Sequence, residues 1–232
     1  MLRKKIDTTR KLLERGGSKL LFRHVFIKYI VRPLNDVFGS KSLMLFFGVV
    51  DFPEQNDGLA HVPLVLQDKE EFYKLLEDAR KSGIKEVLEI GTYRGGTAYL
   101  FYKLLGANVT TIDISTPMIT RLVLSIVSCG KIRAIRGDSH SYDVFEKVSG
   151  KRYDMLFIDG DHSYEGVKKD FEMYLPLVRQ NGLIVFHDIY SEPGVAKFWS
   201  EARQKYLHYE IVNFSSKRIL GIGVIKKHDG FI

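Results

Sequence analysis

Between residues 68 and 205 short, largely apolar runs alternate with stretches of helical period, and this alternation leaves few folds open. The apolar runs fall at 86–90, 109–112, 132–135, 155–158 and 183–186. Between and around them, helical spacing predicts helices over 68–81, 97–105, 116–127, 164–178 and 194–205. Continuous apolar strands separated by helices form a parallel sheet covered on both faces, the doubly wound α/β arrangement. The segments 209–214 and 219–225, divided by Ser215-Ser216-Lys217, read as a closing antiparallel hairpin. Upstream, Phe22, Val25, Phe26, Tyr29, Ile30, Leu34, Val37 and Phe38 put one apolar stripe on a helix that Pro33 kinks or restarts. A loop rich in Asp, Asn, Pro and Gly follows at 51–65, so the chain divides into an N-terminal helical extension, 1–65, and an α/β domain, 66–232.

Right-handed crossovers leave the functional loops of such a sheet at the carboxyl ends of its strands. The first of these loops is Glu89-Ile90-Gly91-Thr92-Tyr93-Arg94-Gly95-Gly96. Its glycines let a strand reverse into a helix and let a ligand approach the backbone. The spacing is neither G-x-G-x-x-G nor the phosphate loop G-x-x-x-x-G-K-S/T. An acid two residues before the first glycine repels diphosphate and suits a cationic amino-acid end. Read alone, the turn is also compatible with a purely structural role. The second strand ends in Asp113, 22 residues after Gly91, where a carboxylate accepts from ribose hydroxyls or caps the next helix. The third runs into Asp138-Ser139, placed to meet the edge of a base.

These residues, with Phe157-Ile158-Asp159-Gly160-Asp161-His162-Ser163-Tyr164 and Ile184-Val185-Phe186-His187-Asp188, resemble the class I S-adenosylmethionine-dependent methyltransferases. More narrowly they resemble the group with macrocin-type sugar O-methyltransferases and cephalosporin hydroxylase-like proteins. The likeness covers about residues 84 to 205 and implies a Rossmann-like sheet of seven strands in the order 3-2-1-4-5-7-6. It implies that Glu89 and Gly91 line the methionine end, that Asp113 binds the ribose, and that Asp138 and Ser139 lie beside the adenine. Thr92, Tyr93, Gly95, Ile114 and Asp159 complete the implied cofactor-binding set.

The fourth and fifth strands end in Asp159-Gly160-Asp161-His162 and His187-Asp188. Parallel neighbours stand about 4.8 Å apart, so groups beyond both ends can converge on one point. Two carboxylates and an imidazole suit Mg²⁺ or another divalent cation, which would lower the pKa of a substrate hydroxyl. The pattern is similar to that of metal-dependent catechol-type O-methyltransferases. By position, Asp159 and His187-Asp188 would hold the metal and His162 would stand where that family has its lysine base. His187 departs from an acid there, Asp188 from an amide and His162 from a lysine. The competing reading makes His187 and Asp188 caps and His162 a local hydrogen-bonding group. A histidine base, with an ordinary pKa of about 6.5, suits proton removal near neutrality. The catalytic expectation therefore falls on His162 and Asp159, and the acceptor is expected to be a hydroxylated small molecule, a sugar or another metabolite.

Charge narrows the partners. The formal net charge of +7 is concentrated in residues 1–41, which hold eleven Lys/Arg against three Asp/Glu, while the rest holds 24 against 25. The basic character thus belongs to the N-terminus, and no nucleic-acid partner is expected. The stripe over 19–38 is read first as a core-packing or homodimer helix and second as a peripheral contact with anionic membrane. The single cysteine, Cys129, permits no internal disulfide, and no apolar run reaches the roughly 18 residues of a bilayer span, so a cytoplasmic protein is expected. Two rivals to the enzyme carry their own signatures: a non-catalytic cofactor-binding module, and a nicotinamide oxidoreductase, which the absent G-x-G-x-x-G disfavours.

Overall fold

A computed structural model describes residues 67–228. The amphipathic stretch 19–38, the loop 51–65 and the domain boundary between 65 and 66 lie outside the described residues. The first element is helix α1, Lys69–Lys81. The Asp68 carboxylate caps it by accepting from the backbone N–H of Glu70 and Glu71, and acids in its first turn and bases in its last suit the helix dipole. Strands and helices then alternate: β1 Glu86–Ile90, α2 Gly96–Leu105, β2 Asn108–Asp113, α3 Met118–Val127, β3 Ile132–Arg136, α4 Tyr142–Ser149 and β4 Tyr153–Ile158. The chain continues through α5 Tyr164–Tyr174, β5 Val178–His187, α6 Pro193–Lys205, β6 His208–Ile211 and β7 Ile222–Lys226.

The seven strands form one sheet in the order β3-β2-β1-β4-β5-β7-β6, parallel except for β7, which runs antiparallel to both neighbours. This is the Rossmann-like order the resemblance implies. Because strand side chains alternate, Leu88, Ile90, Ile112, Leu156, Ile158, Ile184 and Phe186 share one face, packed with α4, α5 and α6 through Val148, Phe171, Phe198 and Trp199. On the opposite face Phe157 of β4 meets Phe101 of α2 edge-on at 5.3 Å, and Phe101 meets Phe72 of α1 at 5.4 Å.

Three elements differ from the sequence expectation. Helix α4 was not anticipated, although the Ser141 hydroxyl caps it by accepting from Val144 N–H. The helix expected over 164–178 ends at Tyr174, where Pro176 forces a 3₁₀ turn over Leu175–Leu177, and β5 starts at once. The C-terminal pair is antiparallel as expected, but its strands end at Ile211 and begin at Ile222. Ser215-Ser216-Lys217 therefore lies within a longer loop, 212–221.

Register sets the working edge of the sheet. Ile90 stands level with Ile112 and Ile158, and Ile158 level with Phe186. The residues that follow, Gly91, Asp113, Asp159 and His187, consequently form one row at the carboxyl ends of the strands.

Candidate active site

The row opens into a cleft with two lobes that meet at Gly91, Asp113 and Gly160. The lobe of about 370 Å³ lies over β2 and β3 and is lined by Ile114, Ser115, Asp138, Ser139 and His140 among others. The lobe of about 260 Å³ lies over β4 and β5, where Gln67, Thr92, Tyr93, Asp159, His162, His187 and Asp188 line it.

Gly91 makes the junction possible. Its φ is +100°, and a Cβ on it would stand 1.9 Å from the Asp159 carbonyl oxygen, so the turn can pass β4 only without a side chain. Backbone bonds hold the crossing: Gly91 N–H donates to Ile112 O at 2.8 Å and Asp159 N–H to Ile90 O at 2.8 Å. The Asp113 carboxylate ties the turn to β2, accepting from Tyr93 N–H at 2.7 Å and from Ser115 N–H at 2.7 Å. Tyr93 itself has φ +47° and is half exposed over the lobe.

Glu89 lies beneath the cleft, not on its surface. It is fully buried; Thr111 Oγ1 donates to its Oε2 at 2.5 Å and stands 2.5 Å from Thr92 Oγ1, which reaches the lobe. Burial pushes the Glu89 carboxyl up to about 8 against the hydrogen bond from Thr111, with Asp159 and Asp113 adding to the rise. It is therefore mostly protonated at neutrality, and any influence on a ligand's charged end runs through the two threonines. Gly95, φ +81°, lines neither lobe; it caps α2 and packs on Leu124.

Four side chains converge over β4 and β5. Asp159 Oδ1 stands 3.3 Å from His187 Nδ1 and 3.5 Å from His162 Nε2, while Gln67 Nε2 donates to Asp159 Oδ2 at 2.8 Å. Asp188 Oδ2 stands 3.1 Å from His187 Nδ1 and 3.9 Å from His162 Nε2. Burial alone would raise Asp159, but the His187 charge and the bonds from His162, His187 and Gln67 hold it well below the usual carboxylate range. For His187 burial acts downward and is outweighed by Asp159 and Asp188, which push it up to about 10. His162, half-buried, is raised above its ordinary value, first by its bond to Asp159.

Asp188 sits at φ +62°, a strained setting for a residue with a side chain, held where Ser191 Oγ donates to Oδ1 at 2.5 Å. Asp159, His162 and Asp188 each offer one ligand atom within 4.8 Å of the others. His187, expected as a ligand, is not one of the three; its Nδ1 stands at ion-pair distance from both carboxylates, so a divalent cation and a protonated His187 compete for the same place. The donor set of carboxylate oxygens and imidazole nitrogens fits such an ion, and the buried His187 proton holds that charge position in the arrangement described.

Sequence reasoning missed four contributors. Gln67 stands just before α1, and nothing in its sequence surroundings announces that its amide reaches Asp159, 92 positions away. Thr111 is one of many β-branched strand residues. Glu192 brings Oε2 to 4.0 Å from His162 Nδ1 from the start of α6. His140 adjoins a recognised pair, and its position next to Asp138-Ser139 was the one available signal.

Residues 88–189 match the family model of a methyltransferase domain. An uncharacterized protein of Acanthamoeba polyphaga mimivirus is 28% identical over 128 residues, half of this chain and 58% of that protein's length. A second relative, from Sinorhizobium fredii, is 31% identical over 62 residues, 25% of this chain and 7% of its own. The chain thus spans little more than half of one curated relative and a small part of the other. Among solved structures, the tomaymycin-pathway O-methyltransferase TomG of Streptomyces achromogenes, in complex with SAM, superposes with a TM-score of 0.57 at 15% identity, covering 86% of this chain and 96% of that one. The O-methyltransferase of Bacillus cereus in complex with SAH gives 0.56 at 17% identity, covering 85% and 97%.

Proposed function

We infer that this chain is a class I methyltransferase that transfers the methyl group of S-adenosylmethionine to a hydroxyl of a small molecule, a reading supported by the methyltransferase-domain match over residues 88–189 and by the strand order of the sheet. The observation that carries the reading is the two-lobed cleft with Gly91 and Asp113 at its waist and the cluster of Asp159, His162, His187 and Asp188 in the lobe over β4 and β5. The larger lobe accepts adenine beside Asp138 and Ser139, and Asp113 the ribose hydroxyls. The methionine end lies over Gly91, Thr92 and Tyr93, which leaves the acceptor to enter over the cluster.

The transfer is an in-line displacement: the acceptor oxygen bonds to the methyl carbon as the carbon–sulfur bond breaks. S-adenosylhomocysteine leaves, and the hydroxyl proton passes to His162 Nε2, which faces Asp159 and Asp188. A divalent cation, when bound by Asp159 and Asp188, supplies Lewis acidity that makes the hydroxyl more acidic. The chain's own contribution is alignment: Gln67 orients the Asp159 carboxylate and Ser191 that of Asp188. The acceptor is a sugar or another hydroxylated metabolite. The working place is the cytoplasm; among the described residues no helix is long and apolar enough to cross a membrane.

Calorimetric titration with S-adenosylhomocysteine, with and without Mg²⁺, tests the reading on wild type and on Gly91→Arg. One saturable site, lost in the variant, is expected, since any side chain at Gly91 strikes the Asp159 backbone. A folded wild-type protein that binds nothing returns the cleft to a structural role. Tight binding without turnover over a broad range of hydroxylated acceptors would favour the non-catalytic module.

A further inference from the structure

The Gln67 side chain has two polar atoms, and the chemistry described so far uses one of them. Nε2 donates to Asp159 Oδ2 at 2.8 Å. Asp159 lies between the His162 and His187 imidazoles as an ionised carboxylate, which can only accept. That fixes the amide: the NH₂ turns to Asp159, and Oε1 turns away from it. Oε1 is buried and finds no donor among the described residues. The side chain as a whole keeps only 5% of its surface exposed, and it lines the lobe over β4 and β5. Buried polar atoms are ordinarily paired, so an unpartnered acceptor on the wall of a ligand cleft marks the place of a donor on the ligand.

The backbone that carries Gln67 is held firmly. Next to it, the Asp68 carboxylate caps α1 and also accepts from Asn213 Nδ2 at 3.3 Å, which ties this corner to the segment after β6. Turning the amide over offers no relief, because its oxygen would then face the Asp159 carboxylate. Two kinds of donor can arrive at Oε1, the ammonium of the cofactor's methionine end or a group on the acceptor. Position favours the acceptor: Gln67 is bonded to Asp159 within the acid–imidazole cluster, whereas the methionine end is assigned to the turn Gly91-Thr92-Tyr93.

We propose that Gln67 Oε1 selects the acceptor, by accepting from a second hydrogen-bond donor that the acceptor carries beside its reacting hydroxyl. This rests on the methyltransferase reading above and adds to it: the acceptor presents one polar hydrogen to the cluster and another to Gln67. A molecule with an isolated hydroxyl leaves Oε1 unpaired, and one with an ether oxygen in the neighbouring place sets acceptor against acceptor.

The test follows methyl transfer from labelled S-adenosylmethionine by the full chain to cyclohexane-1,2-diol and to methyl hexopyranosides. Each is compared with its counterpart lacking a neighbouring hydroxyl, cyclohexanol and the monodeoxy glycosides. Turnover is expected with a parent compound whose KM lies roughly tenfold below that of its deoxy counterpart, the scale of one directed hydrogen bond. Gln67→Leu raises the parent's KM by a similar factor and leaves that of the deoxy compound within about twofold, since it has no such bond to lose. Its kcat falls with both compounds, because Asp159 loses the amide donor. Calorimetry with S-adenosylhomocysteine gives the same affinity in variant and wild type, which also reports that the variant is folded. Parent and deoxy compounds that react alike in wild type overturn the inference. So does a variant that raises both KM values equally, as a merely structural Gln67 would. A folded variant with weakened S-adenosylhomocysteine binding assigns Oε1 to the cofactor and overturns it too. Wild type that binds S-adenosylhomocysteine but methylates nothing in the panel overturns the inference and leaves the cofactor reading standing. Failure to bind S-adenosylhomocysteine overturns both.

Discussion

At Asp159 two demands meet: its backbone must pass under the glycine turn, and its carboxylate must hold Gln67, His162 and His187 around it. The glycine turn was legible as a place where a strand reverses and a ligand approaches, but not as a close approach between two stretches of backbone. The partner in that approach was not legible, since it comes from β4 and depends on register. The cluster of Asp159, His162, His187 and Asp188 could be assembled from the sequence because each residue follows directly on a recognisable strand. Glu89 could be named but not placed: the alternation of a strand says which face a residue takes, not whether Thr92 and Thr111 will roof it over. The kinetic consequence concerns His162. A base must be unprotonated, and its bond to Asp159 raises its pKa above the ordinary 6.5. The acid limb of the kcat profile is thus expected above pH 6.5, with turnover falling as pH drops through it. His162→Asn should remove the limb and lower kcat by about 10²- to 10⁴-fold, the usual contribution of a positioned base. A limb left in place in that variant would assign the proton transfer elsewhere.

Among the elements, the loop 212–221 departs furthest from what the sequence suggested. Its polar triplet looked like a tight turn, whereas the structure anchors both ends of the loop to one buried carboxylate. Asn213 N–H donates to Glu71 Oε1 at 2.8 Å and Gly221 N–H to Glu71 Oε2 at 3.0 Å. The tip then lies against the loop after β5, where Phe214 meets the Tyr190 ring edge-on at 6.1 Å and Arg218 pairs with Glu192 at 3.2 Å. No periodicity could announce this, because it joins residues about 150 positions apart. Helices α1 and α5 were legible through their apolar spacing, and α5 was drawn too long only because Pro176 received too little weight. Glu71→Ala leaves two backbone N–H groups without a partner and should cost about 1–3 kcal/mol in urea denaturation. With the loop released, acceptor KM should rise while S-adenosylhomocysteine affinity holds. Equal losses in both would mean that the loop supports the whole cleft.

For the molecule as a whole, the division of charge suggests a division of labour. Among the described residues, Gln67 and residues from 90 onward line the two lobes, whereas the excess positive charge of the sequence lies in residues 1–41. A chain lacking residues 1–41 is expected to bind S-adenosylhomocysteine as the full chain does, at low and at high salt, because no remote charge asymmetry remains to be screened. A strong loss of affinity would make the N-terminal segment part of the cofactor site.

The position of β7 has a consequence for synthesis on the ribosome. β7 lies between β5 and β6 in the sheet, yet it is made after both. While residues up to 221 are emerging, β5 presents an open strand edge, β6 has no neighbour to join, and Glu71 awaits one of its two backbone donors. A nascent chain of this design carries the glycine turn early but cannot finish its sheet until β7 leaves the tunnel. Premature stops just before residue 222 should therefore yield chains that seek a strand from a neighbour, and such products would appear as aggregates instead of weakened enzymes.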